Sequence, residues 1–121
     1  MNLTVNQIRF LLAVLSLTTI GEDVASKNIA RILGVTRPSV HGMLEQMIER
    51  GFIEKAHYGR ARLTAEGLAV AQALGARRDN LMLLFIRRDG FPMAEALTAS
   101  ISLMSVLKEE SLQTLEAHLD N

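Results

Sequence analysis

A chain of 121 residues has the length of one domain, or of two small ones sharing a core. Its 49% apolar content is too high for a disordered chain, and its 4% aromatic content, with no Trp and a single Tyr, calls for an aliphatic core that favours helices over sheets. The absence of cysteine excludes disulfides, thiolate metal sites and cysteine nucleophiles, and the net charge is zero.

The charge is unevenly placed. Residues 1–63 hold eight Lys/Arg against five Asp/Glu, a balance of +3, and residues 64–121 hold five against eight, a balance of −3. A basic first half suits a module that meets phosphates. The longest apolar runs, such as residues 81–86, are far below the ~20 residues needed to cross a bilayer. No basic region followed by an apolar run opens the chain, so no signal peptide is expected and a cytoplasmic location is the default.

Residues 5–19 read as a first helix, rich in aliphatics (Ile8, Leu11, Leu12, Val14, Leu15), and residues 21–23 as a loop. Ser26 is an expected N-cap for a short helix over 27–33, with Gly34 in its left-handed stop position. Thr36 caps a third helix, in which Pro38 occupies the second position, where its missing N–H costs little. This helix runs to residue 50 and is stopped by Gly51. Val40, Met43, Leu44, Met47 and Ile48 form its buried stripe, and Arg37, Ser39, His41, Gly42, Glu45 and Glu49 its polar face. A hairpin follows, with strands over 52–56 and 60–63 turned at 57–59. Thr64 caps a long fourth helix reaching residue 88, with Gly75 as a weak point. Residues 89–92, Asp-Gly-Phe-Pro, break the chain, and residues 93–106 and 108–119 read as two further helices or one bent one.

The order helix, short helix, glycine turn, longer helix, hairpin is that of a winged helix-turn-helix. The expected fold is mainly α with a small β-hairpin wing: residues 1–63 form a DNA-binding domain and residues 64–121 a helical dimerisation domain. In that layout the third helix enters the major groove and presents its N-terminal residues to base edges. Base reading falls to Arg37, Ser39 and His41, with Gly42 as a gap that lets the helix approach closely. Phosphate contacts fall to Lys27, Thr36, Arg60 and Arg62, the two arginines alternating along a strand and so facing one way. His57 and Tyr58 at the wing tip read equally as sugar-phosphate contacts or as turn residues. His118 reads as a solvent-facing helix residue. Arg77-Arg78 and Arg87-Arg88 read first as a solvated face or as ion pairs between subunits, and secondarily as a second phosphate contact. No glycine-rich phosphate loop, His-Glu-x-x-His or Gly-x-Ser-x-Gly motif is present, so no residue is assigned catalysis and the chain reads as a non-enzyme.

Residues 28–67 resemble the diphtheria toxin repressor and manganese transport regulator family. The similarity lies in Ile-Ala-x-x-Leu-Gly-Val from Ile29, Pro-Ser-Val from Pro38, Leu-x-x-Met-x-x-x-Gly-Phe-Ile from Leu44, and Tyr-Gly-Arg-Ala-Arg-Leu-Thr-Ala-Glu-Gly from Tyr58. Weaker similarity extends through residues 10–14 and 111–116. The resemblance implies a homodimeric repressor on a pseudo-palindromic operator, dimerised by the helices after the wing. It also implies an iron(II) or manganese(II) site. The corresponding positions here fall near Arg9 and Leu12, at Arg78 or Asp79, and near Ile101, Met104 and Ser105. Arginine does not ligate, Leu and Ile carry no donor, and Met suits hard cations poorly, so at most Asp79 survives. No metal and no other cofactor are therefore expected. Two alternatives stay open: a small-molecule-responsive regulator resembling the multiple-antibiotic-resistance repressors, and a winged helix used only for protein contacts.

Overall fold

The computed structural model describes residues 2–18 and 23–120. These form two compact units, Arg9–Gln72 and Met1–Ile8 with Ala73–Asn121. The expected helix end at Thr19 and the expected loop residues Gly21 and Glu22 lie outside the described residues.

In the first unit, α1 (Val5–Leu17) contributes its residues from Arg9 onward, burying Phe10, Leu11 and Val14. Helix α2 (Ser26–Leu33) follows and packs on α3 (Arg37–Glu49). Ala25, not Ser26, is the N-cap residue of α2; it has extended backbone and no capping side chain. Ser26 sits inside the first turn with its hydroxyl buried and unpaired. Capping preference identified the correct turn but missed the start by one residue, because Ala25 supplies the extended backbone while Ser26 continues the helix. Gly34 ends α2 at φ 68°, the left-handed conformation that glycine adopts without steric cost, and Val35 N–H reaches back to the Ala30 carbonyl at 3.1 Å. The end of α3 repeats this closure. Gly51 has φ 80°, its N–H donates to Ile48 at 3.0 Å, and Phe52 N–H donates to Met47 at 3.0 Å. These two bonds satisfy carbonyls that the helix would otherwise leave open.

Strands β1 (Ile53–Lys55) and β2 (Ala61–Leu63) pair antiparallel with Ile53 opposite Leu63, Glu54 opposite Arg62 and Lys55 opposite Ala61. They are shorter than the expected 52–56 and 60–63. Their link is a single 3₁₀ turn over His57–Gly59, in which Tyr58 (φ 59°) and Gly59 (φ 71°) are both left-handed. On the other edge of β2, Val24 and Ala61 exchange two backbone hydrogen bonds of 2.8 Å, so the strap before α2 lies along the wing as a third strand-like segment.

Helix α4 (Ala65–Arg87) starts in the first unit and continues into the second. Thr64 organises its start: its hydroxyl accepts from Gly67 N–H at 3.0 Å and donates to the Gly51 carbonyl at 2.7 Å. Gly67 packs so close to Phe52 that an added Cβ would lie 1.8 Å from the Phe52 carbonyl oxygen. Gly75, buried in mid-helix, does not interrupt α4.

In the second unit, α4 is followed by α5 (Met93–Val106) and α6 (Glu109–Ala117). These are two separate helices, because Leu107 is extended (φ −90°, ψ 149°) and Lys108 starts α6 afresh. The predicted break at 89–92 is present. Gly90 is left-handed, Phe91 N–H donates to Phe85 at 3.0 Å, and the two phenyl rings stack 5.5 Å apart. Leu81, Leu84, Phe85, Ala96, Ile101, Met104 and Leu112 are buried, with Ser100 hydrogen-bonded to its own helix at Ala96. Arg77 forks onto α6, 2.6 and 2.8 Å from the two carboxylate oxygens of Glu109 and 2.6 Å from Glu116.

Candidate nucleic-acid interface

The third helix divides cleanly. Val40, Leu44 and Met47 are buried, while Arg37, Pro38, Ser39, His41, Gly42, Glu45, Gln46 and Glu49 are exposed. Thr36 caps it with extended backbone (φ −78°, ψ 158°); its hydroxyl oxygen accepts from Ser39 N–H at 3.3 Å and donates to the Ser39 hydroxyl at 3.1 Å. Such a cap stabilises the helix start by about 1 kcal/mol. It also occupies Thr36 and Ser39 with each other, so Thr36 serves the helix before it serves a phosphate. Arg37 and His41 lie one turn apart on the exposed face, with open space at Gly42, where an added Cβ would meet nothing within 4 Å. Lys27 is exposed on α2, and none of Lys27, Arg37 and His41 forms an ion pair with another described residue.

At the wing, Tyr58 is 99% exposed at the apex beside His57, their rings 6.4 Å apart. Arg60 and Arg62 converge on one acidic residue, which sequence reading treated as a plain loop residue. Arg62 donates from Nε to Asp23 Oδ1 at 2.8 Å, and Arg60 donates from Nη1 to the Asp23 backbone carbonyl at 3.3 Å. Glu54, opposite Arg62 in the ladder, stands 3.9 Å from its Nη1. The Arg62 guanidinium hydrogen-bonded to Asp23 holds that carboxyl below its ordinary value, and Asp23 in turn raises Arg62. No local signal in the sequence marks Asp23, since its partners lie 37 and 39 residues away.

The site residues anticipated from sequence thus lie in the first unit in two sets: the exposed start of α3 (Thr36, Arg37, Ser39, His41, Gly42) with Lys27 on α2, and the wing (Tyr58, Arg60, Arg62).

The IclR helix-turn-helix domain model matches residues 12–57, which run from within α1 to the start of the wing turn. No curated protein matches the chain. Solved structures match almost all of it. The metal-dependent transcriptional regulator MtsR aligns with a TM-score of 0.83 at 21% identity, covering 98% of this chain and 55% of that one. The manganese regulator SloR aligns with a TM-score of 0.83 at 19% identity, covering 98% and 55%.

The fold is that of the metal-dependent transcriptional regulators. A hypothetical protein of Sulfolobus solfataricus shares it as well, with a TM-score of 0.72 at 21% identity over 97% of this chain and 89% of that one. The chain spans about half the length of MtsR and SloR. Within this regulator fold, the chain carries a winged helix-turn-helix followed by helices, as its sequence led us to expect.

Among the positions that the resemblance assigned to metal ligands, Asp79 alone carries a carboxylate. Arg9 is a cation, Leu12 and Ile101 are buried aliphatics, and Met104 is a buried thioether. Ser105 donates its hydroxyl to the Leu3 carbonyl at 3.0 Å, and Asp79 is paired with Arg78 at 3.0 Å. Among the described residues no group of three or more His, Cys, Asp or Glu side chains could hold a metal ion. No described helix is long and apolar enough to cross a membrane.

Proposed function

We propose that the chain is a sequence-specific DNA-binding transcriptional regulator that acts as a homodimer without a resident divalent metal. Residues 1–63 would serve DNA binding and residues 64–121 dimerisation. The observation that carries the reading is the exposed start of α3: an arginine, a histidine and a bare glycine stand clear of the protein on a helix whose opposite face buries Val40, Leu44 and Met47 and half-buries Met43 and Ile48. A helix seated this way inserts into the major groove, where Arg37 is suited to the paired acceptors of guanine, worth about 1–3 kcal/mol of discrimination. Lys27, Arg60 and Arg62, with Tyr58 at the tip, would follow the phosphate strand beside it, and the neutral chain as a whole would present DNA with its basic half.

Two further observations support the assembly and the loss of metal control. Helix α5 leaves Met93 and Leu97, one turn apart on one side, exposed, apolar surface that a second copy would cover. The positions that the resemblance gives to ligands hold a cation, aliphatics, a thioether, a committed hydroxyl and one carboxylate, Asp79, already paired with Arg78, a poor set for a hard divalent ion.

The test is duplex binding followed over a range of salt, with genomic fragments selected by the purified protein in the presence and absence of Mn²⁺. We expect salt-dependent binding with the same fragments enriched in both conditions. Arg37→Ala should lose discrimination among fragments, while Arg60→Ala should weaken all fragments alike and flatten the salt dependence. Binding that was indifferent to Arg37→Ala and Arg60→Ala together would discard the assignment, and enrichment that required Mn²⁺ would discard the metal-free reading.

A further inference from the structure

A wing arginine is useful to DNA only if its guanidinium is already aimed outward, because an exposed Arg side chain otherwise loses considerable rotamer entropy on binding. Arg62 is held in a specific way. Only its inner nitrogen, Nε, is engaged, at 2.8 Å from Asp23 Oδ1. The Arg62 side chain remains half exposed, whereas that of Asp23 is only 19% exposed. Its outer nitrogens are left for an external acceptor: Nη1 has only the loose 3.9 Å approach of Glu54, and Nη2 has no partner among the described residues. Asp23 is itself fixed in place. The next residue, Val24, is bonded to Ala61 in both directions at 2.8 Å, and Ala61 lies between the two wing arginines. The Asp23 carbonyl holds Arg60 alongside at 3.3 Å.

We propose that Asp23 is the positioning residue of the wing: its carboxylate grips Arg62 from behind and presents the outer edge of the guanidinium to the phosphate strand. This rests on the DNA-binding reading above. The alternative role for an acidic group at this place is to mask the arginines and repel DNA, and the two roles predict opposite signs. Removing a negative charge beside a DNA-binding surface strengthens binding if charge alone matters. It weakens binding if the carboxylate is what orients the arginine.

The experiment measures affinity for a mixed-sequence duplex of about 30 base pairs, long enough for two half-sites one helical turn apart, at several salt concentrations. It uses wild type, Asp23→Ala, Asp23→Asn, Arg62→Ala and the Asp23→Ala/Arg62→Ala double variant. The NMR signal of the Arg62 Nε–H in free protein and the melting temperature are recorded in parallel. We expect Asp23→Ala to weaken binding about tenfold, the scale of one charge-assisted hydrogen bond. Asp23→Asn keeps an acceptor for Nε and should stay within about twofold of wild type. Asp23→Ala should add almost nothing once Arg62 is gone, and it should abolish the protection of the Nε–H that Asp23→Asn retains. Tighter or unchanged binding by Asp23→Ala overturns the proposal. So does an equal loss in the Arg62→Ala background, which would make the role one of general folding. A wild-type protein that bound no duplex would overturn the DNA-binding reading itself, a result distinct from either of these because every variant would then be equally silent.

Discussion

Gly67 and Gly42 are both helical glycines, and their surroundings give them opposite fates. At Gly67 the backbone of α4 touches that of Phe52, and a methyl group would crowd a carbonyl oxygen that cannot move aside without shifting the chain leading into β1. Gly67→Ala should destabilise the protein by about 1–3 kcal/mol, the usual penalty for overpacking, read as a lower urea midpoint. Gly42 faces open space, so Gly42→Ala should stabilise the isolated protein by about 0.5–1 kcal/mol through helix propensity. The same methyl would enter the space reserved for a base edge, so duplex affinity should fall while the melting temperature rises. A variant in which both rose would remove Gly42 from the interface. The sequence made Gly34 and Gly51 legible as helix stops, since both follow the last apolar residue of a periodic segment. It could not distinguish Gly67 from Gly42, because the difference is made by the Phe52 backbone 15 residues away in one case and by nothing in the other.

At the scale of elements, the clamp of Arg77 on α6 is the feature that pattern reading mistook. Arg77 looked like part of a solvated or intersubunit face because Arg77-Arg78 and Arg87-Arg88, ten residues apart, share one side of the helix. Its partners, Glu109 and Glu116, are 32 and 39 residues away on a helix one turn-pair long between them. Hydrophobic periodicity identifies which helix faces are buried, but it carries no information on which carboxylates will meet an arginine across two elements. The consequence for pH follows from direction. The hydrogen bonds from Arg77 hold the Glu109 carboxyl below its ordinary value. A depressed carboxyl contributes stability above its unfolded value and loses that contribution as pH falls through its folded value. The guanidinium stays charged throughout. Acidification from pH 7 into the carboxylate range should therefore lower the melting temperature of the wild type more than that of Arg77→Gln, whose clamp is already open. Parallel pH profiles for the two proteins would show that the clamp contributes nothing in solution.

For the whole molecule, the layout of helices and hairpin was readable because each part is marked locally: caps at Thr36 and Thr64, glycine stops, one aliphatic stripe along α3, and a proline and glycine pair before α5. The wing turn was placed correctly over His57–Gly59, though Tyr58 enters it in a backbone conformation that few residues other than glycine adopt. The assembly must be tested at this scale. If two copies associate through the exposed apolar residues of α5, the melting temperature should rise with protein concentration, since association stabilises the folded state by mass action. Met93→Glu with Leu97→Glu should remove that dependence, halve the mass seen by light scattering and weaken operator binding by far more than the loss of either side chain alone. A concentration-independent melt in the wild type would identify a monomer that reads DNA singly.

The chain has one tyrosine and no tryptophan, and that tyrosine stands almost wholly in solvent at the tip of the wing. Excited at wavelengths that its phenylalanines do not absorb, the protein emits from a single point, the one expected to arrive first at the sugar-phosphate strand. Quenching on addition of duplex would report wing engagement without a dye or a tag, and emission unchanged at saturating duplex would place the tip away from the nucleic acid. The molecule in effect carries its own lamp at the end of its reach.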